Sequence, residues 1–227
     1  MIPAAVLFDA GNTLVFLDYA RLATAIGDAL GLQLTEAGLK QHAGAAARAM
    51  EEGRLTDRER GTVFLLTLFE LAGVPADRTE DLKTALLEMH QHMHLWGATE
   101  PGTLESLARL RAAGMRLAVI SNSDGRAAAA LDAGGLLDQF EFVIDSGEVG
   151  VEKPDPRIFQ IALERMGINP ADALYVGDLY EVDAVGARAA GLHVMLLDPS
   201  GEHAGRDVKT VRSLVELADE LLAAPAT

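Results

Sequence analysis

Cysteine is absent from this 227-residue chain, and lysine and aromatic residues are scarce. Without cysteine the protein has no disulfides, no thiolate nucleophile and no sulfur ligands for a metal. The sequence shows no basic segment followed by an apolar one, as a signal peptide would have. It also contains no apolar run of the roughly 20 residues that span a membrane. We therefore expect a cytoplasmic protein with no membrane partner.

An excess of acidic residues gives the chain a net charge of -15. A field of this sign repels phosphate backbones, so we expect no nucleic-acid partner. It repels anionic substrates as well, so any phosphate site must be locally positive. Hydrophobic residues make up 49% and charged residues 23%, which is ordinary for a globular protein with one large domain or two small ones. For the oligomeric state we expect a monomer or a homodimer.

Two patterns of hydrophobic residues divide the chain. Between residues 18 and 95, apolar residues recur at helical spacing and no strand pattern interrupts them. The predicted helices of this block are Tyr19–Leu30, Thr35–Met50, one that Thr56 opens and Gly73 ends, and Asp77–His92. The block predicts a small helical bundle inserted after the first strand.

Elsewhere short apolar runs alternate with helices of roughly 10 residues, which predicts a parallel sheet covered by helices on both faces. The predicted strands are Ala5–Phe8, Arg116–Ile120, Phe140–Ile144, Ala173–Val176 and Leu192–Leu197. The predicted helices are Leu104–Ala113, Asp124–Ala133, Asp155–Met166, Glu181–Ala190 and Val211–Ala223. Loops near 15–18 and 95–102 are expected to connect the sheet to the bundle.

Polar side chains stand at the ends of four predicted strands. In chain order they are Asp9, then Ser121 and Asn122, then Lys153 in a loop, then Asp178 followed by Asp183. Because the carboxyl ends of parallel strands meet at one edge of a sheet, we expect these groups to converge. Carboxylates suit Mg2+, and a carboxylate can also form an aspartyl phosphate. A hydroxyl and an amide can hold phosphoryl oxygens, and a lysine can neutralise their charge.

Four motifs in chain order carry a resemblance to a known family. They are Phe8-Asp9-Ala10-Gly11-Asn12-Thr13-Leu14, Val119-Ile120-Ser121-Asn122-Ser123, Gly150-Val151-Glu152-Lys153-Pro154-Asp155, and Val176-Gly177-Asp178 with Asp183. On these motifs the chain resembles the haloacid dehalogenase-like hydrolases. The resemblance implies an α/β protein with a Rossmann-like three-layer α/β/α core formed by residues 1–15 and 98–227. Residues 16–97 are then an inserted α-helical cap domain.

The resemblance also implies a role for each matching residue. Asp9 is then the catalytic nucleophile, and Lys153 positions the phosphoryl group and stabilises its charge. The implied Mg2+ ligands are Asp9, the carbonyl of Gly11, Asp178 and Asp183. The implied substrate-binding groups are Ser121, Asn122 and the main-chain amides of the turn at Gly11 and Asn12. The expected activity is Mg2+-dependent hydrolysis of a small phosphorylated metabolite through an aspartyl-phosphate intermediate.

Gly11 departs from the pattern of the family that the chain resembles. Phosphatases of that family carry a second Asp at this position, which protonates the leaving oxygen and later activates water. General acid–base catalysis is worth about 10²–10⁴-fold, so the glycine predicts slow turnover, a good leaving group or another proton donor. A non-catalytic binding protein and a dehalogenase stay open as alternatives. The acidic metal-binding pattern argues against the dehalogenase, because that reaction uses no metal.

Other polar residues outside the four motifs have structural interpretations. His90, His92 and His94 lie at the end of the last bundle helix, where only His90 and His94 share a face. We favour an exposed helix end there over a metal site or a replacement proton donor. Asp124 is predicted to cap a helix, and Asp145 is predicted to lie in a solvated loop.

Overall fold

The computed structural model describes residues 3–49, 57–92 and 95–223. The chain divides into two compact units. One unit comprises the described residues of Met1–Phe16 and Trp96–Thr227, and the other comprises those of Leu17–Leu95. The predicted helix ends at Met50 and Thr56, and His94, lie outside the described residues. In the described part of the chain, every helix is too short or too polar to cross a membrane.

Strand β1 (Ala5–Phe8) opens the first unit, and the chain then enters the helical unit through a short strand, β2 (Phe16–Leu17). The helices of the second unit are α1 (Tyr19–Leu30), α2 (Glu36–Ala49), α3 (Asp57–Leu71) and α4 (Thr79–His92). Helix α1 begins where the Asp18 side chain accepts a hydrogen bond from the Arg21 main-chain N–H, and it ends at Gly31 with a φ of 65°. Helix α1 packs against α2 and α4, and α2 packs against α3.

The rest of the chain forms a parallel sheet with its helices. The strands that follow are β3 (Trp96–Ala98), β4 (Arg116–Ser121), β5 (Val143–Asp145), β6 (Ala173–Gly177), β7 (His193–Leu197) and β8 (Lys209–Val211). The helices are α5 (Thr103–Ala112), α6 (Ala127–Ala133), α7 (Ser146–Val149), α8 (Pro156–Met166), α9 (Val185–Ala189) and α10 (Leu214–Leu222). The strand order is β5-β4-β1-β6-β7-β8, and neighbouring strands pair in parallel.

Two hydrophobic cores cover the two faces of the sheet. Val6 and Phe8 of β1 lie in one core, which also contains buried side chains of α5, α6 and α10. Ala5 and Leu7 lie in the other core, against α8 and α9. Strand β1 serves both cores because successive side chains of a strand point to opposite faces. The predicted three-layer α/β/α architecture is confirmed.

The region around β5 differs from the prediction. The strand begins at Val143 instead of Phe140, and helix α6 begins at Ala127 instead of Asp124. Asp145 is buried and accepts the main-chain N–H groups of Ala127, Gly125 and Gly147 at 2.9 Å each. A carboxylate from the next strand therefore caps α6, and the prediction that Asp145 lies in a solvated loop was wrong.

Two other predicted features contain short strands. The predicted helix Val211–Ala223 is present as α10, but its first residue, Val211, belongs to strand β8. Val211 pairs with Leu197 of β7, and the helix begins only after Ser213, whose hydroxyl accepts the Glu216 main-chain N–H. A β-branched apolar residue such as Val211 is compatible with the hydrophobic pattern of a helix or of a strand, so only its pairing with β7 distinguishes the two. The predicted connecting loops contain β2 and β3, which form a two-stranded sheet.

Candidate active site

Three central strands end side by side at the site. Phe8 of β1 lies opposite Val119 of β4 and Val176 of β6. Asp9 directly follows β1, and Ser121 at the end of β4 and Asp178 after β6 come two residues beyond the partners of Phe8. The Asp9 main-chain N–H donates to the Val176 carbonyl at 2.8 Å, which holds β1 and β6 together at this edge. The structure thus brings the predicted residues of these strands to one edge of the sheet.

Lys153 is the centre of the polar contacts at this edge. Its side chain is buried, and Nζ lies 2.5 Å from Asp9 Oδ1, 2.8 Å from Asp183 Oδ1 and 3.0 Å from the Tyr175 hydroxyl. Burial alone would lower the pKa of this lysine. The charges of Asp183 and Asp9 outweigh burial and hold the pKa well above its ordinary value. Lys153 is therefore a permanent cation in direct contact with the predicted nucleophile.

Asp183 anchors the segment after β6. Its Oδ1 accepts hydrogen bonds from Lys153 and from the Tyr175 hydroxyl at 2.9 Å. Its Oδ2 accepts the main-chain N–H groups of Asp178 at 3.1 Å and Leu179 at 2.9 Å. Two donors on each oxygen fill the acceptor capacity of a carboxylate. This arrangement suits a residue that orients Asp178 better than one that ligates a metal directly.

The backbone around Asp183 explains two features of the sequence. The predicted helix Glu181–Ala190 begins with a π-helical turn, Tyr180–Ala184, and this turn carries Asp183 back toward the end of β6. A Cβ atom at Gly177 would lie 2.4 Å from Asp183 Cγ, so no side chain fits there. The glycine of the Gly177-Asp178 pair is therefore a packing requirement of Asp183.

The charge of the site suits a divalent cation. Carboxylate oxygens of Asp9, Asp178 and Asp183 lie within 4.8 Å of one another. Burial raises the pKa of Asp9 to about 6, although Lys153 opposes the rise and Asp183 adds to it. Burial, followed by the charges of Asp9 and Asp183, holds the pKa of Asp178 well above its ordinary value. Three clustered carboxyl groups face one lysine, which leaves an excess of two, and Mg2+, which prefers oxygen ligands, fits such a site.

Asn122 contacts the lysine loop. Its Oδ1 accepts the Lys153 main-chain N–H at 2.7 Å, and its Nδ2 donates to the Lys153 carbonyl at 3.0 Å. The amide thus holds the backbone from which the Lys153 side chain projects. The predicted contact of Asn122 with a phosphoryl group stays a prediction, as does that of Ser121, a buried residue at the end of β4.

The turn after Asp9 is held by its own main chain. Asn12 has a φ of 55°, a left-handed conformation that asparagine tolerates better than most residues. Its main-chain N–H donates to the Val15 carbonyl at 2.9 Å. The Asn12 amide therefore has a partner inside the turn, and the prediction that it binds a phosphoryl oxygen stays a prediction. The roles predicted for Gly11, as an amide donor and as a carbonyl ligand, stay predictions.

Tyr175 is the site residue that the sequence interpretation missed. It lies inside β6 and is fully buried, so hydrophobic patterning assigns it to the core. Its ring packs edge-on against Phe159, with centroids 5.0 Å apart, while its hydroxyl reaches Lys153 and Asp183. The sequence did offer one clue to this role, because a tyrosine hydroxyl inside a fully buried strand needs a polar partner.

Fold and site together define an α/β protein that holds an aspartate, a buried lysine and two further aspartates at the ends of parallel strands. The family model described as haloacid dehalogenase-like hydrolase matches residues 3–191. The chain belongs to this family.

Individual relatives share part of the chain. The haloacid dehalogenase-like hydrolase domain-containing protein 3 of Mus musculus is 40% identical over 144 residues, which are 63% of this chain and 57% of that protein. The phosphoserine phosphatase of Thermus thermophilus is 37% identical over 142 residues, 62% of this chain and 54% of that one. The alignments thus span little more than half of each relative.

The fold also matches solved structures. One is the magnesium-bound HAD-hydrolase YfnB of Bacillus subtilis, with a TM-score of 0.73 and 21% identity over 98% of this chain and 100% of that chain. At this identity the likeness supports the fold alone.

Proposed function

We propose that the protein is a Mg2+-dependent phosphatase that acts on a small phosphorylated metabolite through an aspartyl phosphate on Asp9. The observation that carries the proposal is the contact between Asp9 and the buried ammonium group of Lys153, with Asp178 and Asp183 beside them. The name of the Thermus thermophilus relative, a phosphoserine phosphatase, supports phosphate esters as the substrate class. We further propose that the helical unit, Leu17–Leu95, is a cap that selects the substrate.

The chemistry starts at Asp9. Its carboxylate attacks phosphorus, the ester oxygen leaves, and water then hydrolyses the aspartyl phosphate to regenerate the carboxylate and release phosphate. Lys153 favours the ionised form of Asp9 and offers its charge to an oxygen of the phosphoryl group in flight. Asp9 and Asp178, with the Gly11 carbonyl, would hold Mg2+, which when bound supplies positive charge to the phosphoryl oxygens. Asp183 orients this set through its contact with Lys153 and the main chain of Asp178.

The assay compares wild type with Asp9→Asn on an aryl phosphate, with Mg2+ and with a chelator. The variant keeps the shape of the side chain but removes the nucleophile. We expect at least about 10³-fold lower kcat, since removal of a catalytic nucleophile costs a factor of this order or more. Asp132→Asn, an exposed change on α6, is the matched control and should retain wild-type turnover. Equal turnover of wild type and Asp9→Asn would refute the mechanism.

A second candidate function, ligand binding with negligible turnover, is favoured by Gly11. Among the described residues, a Cβ atom at this position would meet only Trp96 Nε1, at an ordinary distance of 3.9 Å, and the φ of Gly11 lies outside the left-handed region. Gly11→Asp is therefore a fair test, because the backbone accepts a side chain here. Binding of Mg2+ and inorganic phosphate by an inactive wild type, with activity gained by Gly11→Asp, would favour this function. Halide release from a 2-haloacid that a chelator does not affect would instead identify a dehalogenase.

A further inference from the structure

The loop between β7 and β8, Asp198–Val208, is held together at its start by one carboxylate. Asp198 is buried, and it accepts the main-chain N–H groups of Gly201 and Glu202 at 2.8 Å and of His203 at 2.9 Å. Burial alone would raise the pKa of Asp198, but these three donors and the nearby His203 lower it. The carboxylate therefore stays charged at neutral pH, and the position of His203 relative to the end of β7 is fixed.

The ring of His203 contacts the backbone of a residue in the candidate active site. Its Nε2 lies 2.8 Å from the carbonyl oxygen of Asp178. Because a carbonyl only accepts hydrogen bonds, Nε2 carries the proton of this contact. The N–H of Asp178 donates to Asp183 Oδ2 at 3.1 Å. Both main-chain polar groups of Asp178 are therefore held, one by Asp183 and the other by His203.

The same loop touches the next residues of that segment through a weaker, exposed contact. The Arg206 guanidinium lies over the Tyr180 ring, 4.5 Å from its centroid, and its Nη1 lies 3.0 Å from Glu181 Oε1. Exposed ion pairs of this kind contribute about 0–1 kcal/mol. Arg206 thus adds a contact that does not reach Asp178, which makes it a control for the effect of His203.

We propose that His203 is a positioning residue that orients Asp178 toward the cation in the active site. The two peptide planes beside a residue set the direction of its side chain, and His203 fixes the plane that contains the Asp178 carbonyl. Groups that orient metal ligands are typically worth about 10–100-fold in metal affinity or activity. The inference rests on the proposed function, since it requires that Asp178 binds Mg2+.

The experiment is a calorimetric titration of substrate-free protein with Mg2+. His203→Gln keeps an N–H donor at a similar reach, while His203→Met fills a similar space without a donor. We expect His203→Met to weaken Mg2+ binding by about tenfold or more, and His203→Gln and Arg206→Ala to bind within about threefold of wild type. At saturating Mg2+, KM for an aryl phosphate should be unchanged in all three variants.

The possible outcomes distinguish failure of this inference from failure of the proposed function on which it rests. Wild-type affinity in His203→Met would overturn the inference and leave the proposed Mg2+ site intact. Equal weakening in His203→Gln and His203→Met would also overturn it, because the donor would not matter. Absence of Mg2+ binding by wild type would overturn the metal site and the inference together. If His203→Met does not fold, His203→Ala takes its place in the comparison.

Discussion

Asp9→Asn is expected to stabilise the metal-free protein although it removes the proposed nucleophile. Asp9 is buried in contact with Lys153, but two other carboxylates lie within 4.8 Å of it. Burial raises its pKa from 3.8 to about 6, so the attraction to Lys153 does not compensate for desolvation. An asparagine is neutral at every pH and leaves Lys153 in contact with Asp183. The variant therefore removes an unfavourable buried charge.

The size of this effect follows from the pKa of Asp9. A rise from 3.8 to about 6 is a shift of about 2 units, and each unit is worth about 1.36 kcal/mol. A raised carboxyl pKa destabilises the folded state above that pKa, and the penalty declines as the pH falls toward the unfolded value. At pH 8 the expected gain in the free energy of unfolding is about 3 kcal/mol, whereas near pH 3.8 little of it remains.

Denaturation in a chelator tests this prediction. At pH 8 we expect Asp9→Asn to melt about 6–12 °C above wild type, because 1 kcal/mol corresponds to about 2–4 °C in a chain of this size. Added Mg2+ should raise the melting temperature of wild type by mass action and that of Asp9→Asn less. The difference between the two melting temperatures should then become smaller or change sign. Asp132→Asn should not differ from wild type. A variant less stable than wild type at pH 8 without metal would refute the reasoning, since the contact with Lys153 would then outweigh burial.

Three further substitutions have expected outcomes. Tyr175→Phe removes the hydroxyl between Lys153 and Asp183 and should lower kcat/KM for an aryl phosphate about tenfold, because hydrogen bonds to charged groups are worth about 1.5–3 kcal/mol. Gly177→Ala places Cβ 2.4 Å from Asp183 Cγ, so urea unfolding should show a loss of about 1–3 kcal/mol and Mg2+ binding should weaken. Asp145→Ala leaves three main-chain N–H groups without their acceptor and should destabilise by about 3 kcal/mol, with Mg2+ affinity unchanged by calorimetry.

The sheet was predictable because its signals are local. Short apolar runs that end at Gly, Asp or Ser identified the central strands β1, β4 and β6 to within one residue. The features that were missed depend on pairing. Strands β2, β3 and β8 have too few residues to show the alternating hydrophobic pattern of a strand. Each forms because a neighbouring strand supplies its hydrogen bonds.

At the site, the sequence indicated which residues converge but not what each one contacts. The strand ends predicted that Asp9, Lys153 and Asp178 meet, because parallel strands share an edge. Nothing in the spacing indicates that the Asn122 amide holds the Lys153 backbone or that Tyr175 lies under the lysine. Those contacts depend on rotamers and on the path of a loop. They are tertiary information that one-dimensional patterns do not contain.

The charge balance of the site refines the expectation that a phosphate site in this acidic chain must be locally positive. Lys153 is the cation in contact with Asp9 and Asp183, and these two carboxylates together exceed its single charge. The raised pKa values of Asp9 and Asp178 mean that these carboxyl groups take up protons at a higher pH than exposed carboxyl groups do. A divalent cation must displace those protons, because carboxylates ligate in their ionised form. Under the proposed function, a bound Mg2+ ion would add the positive charge for a phosphorylated substrate that Lys153 alone does not supply.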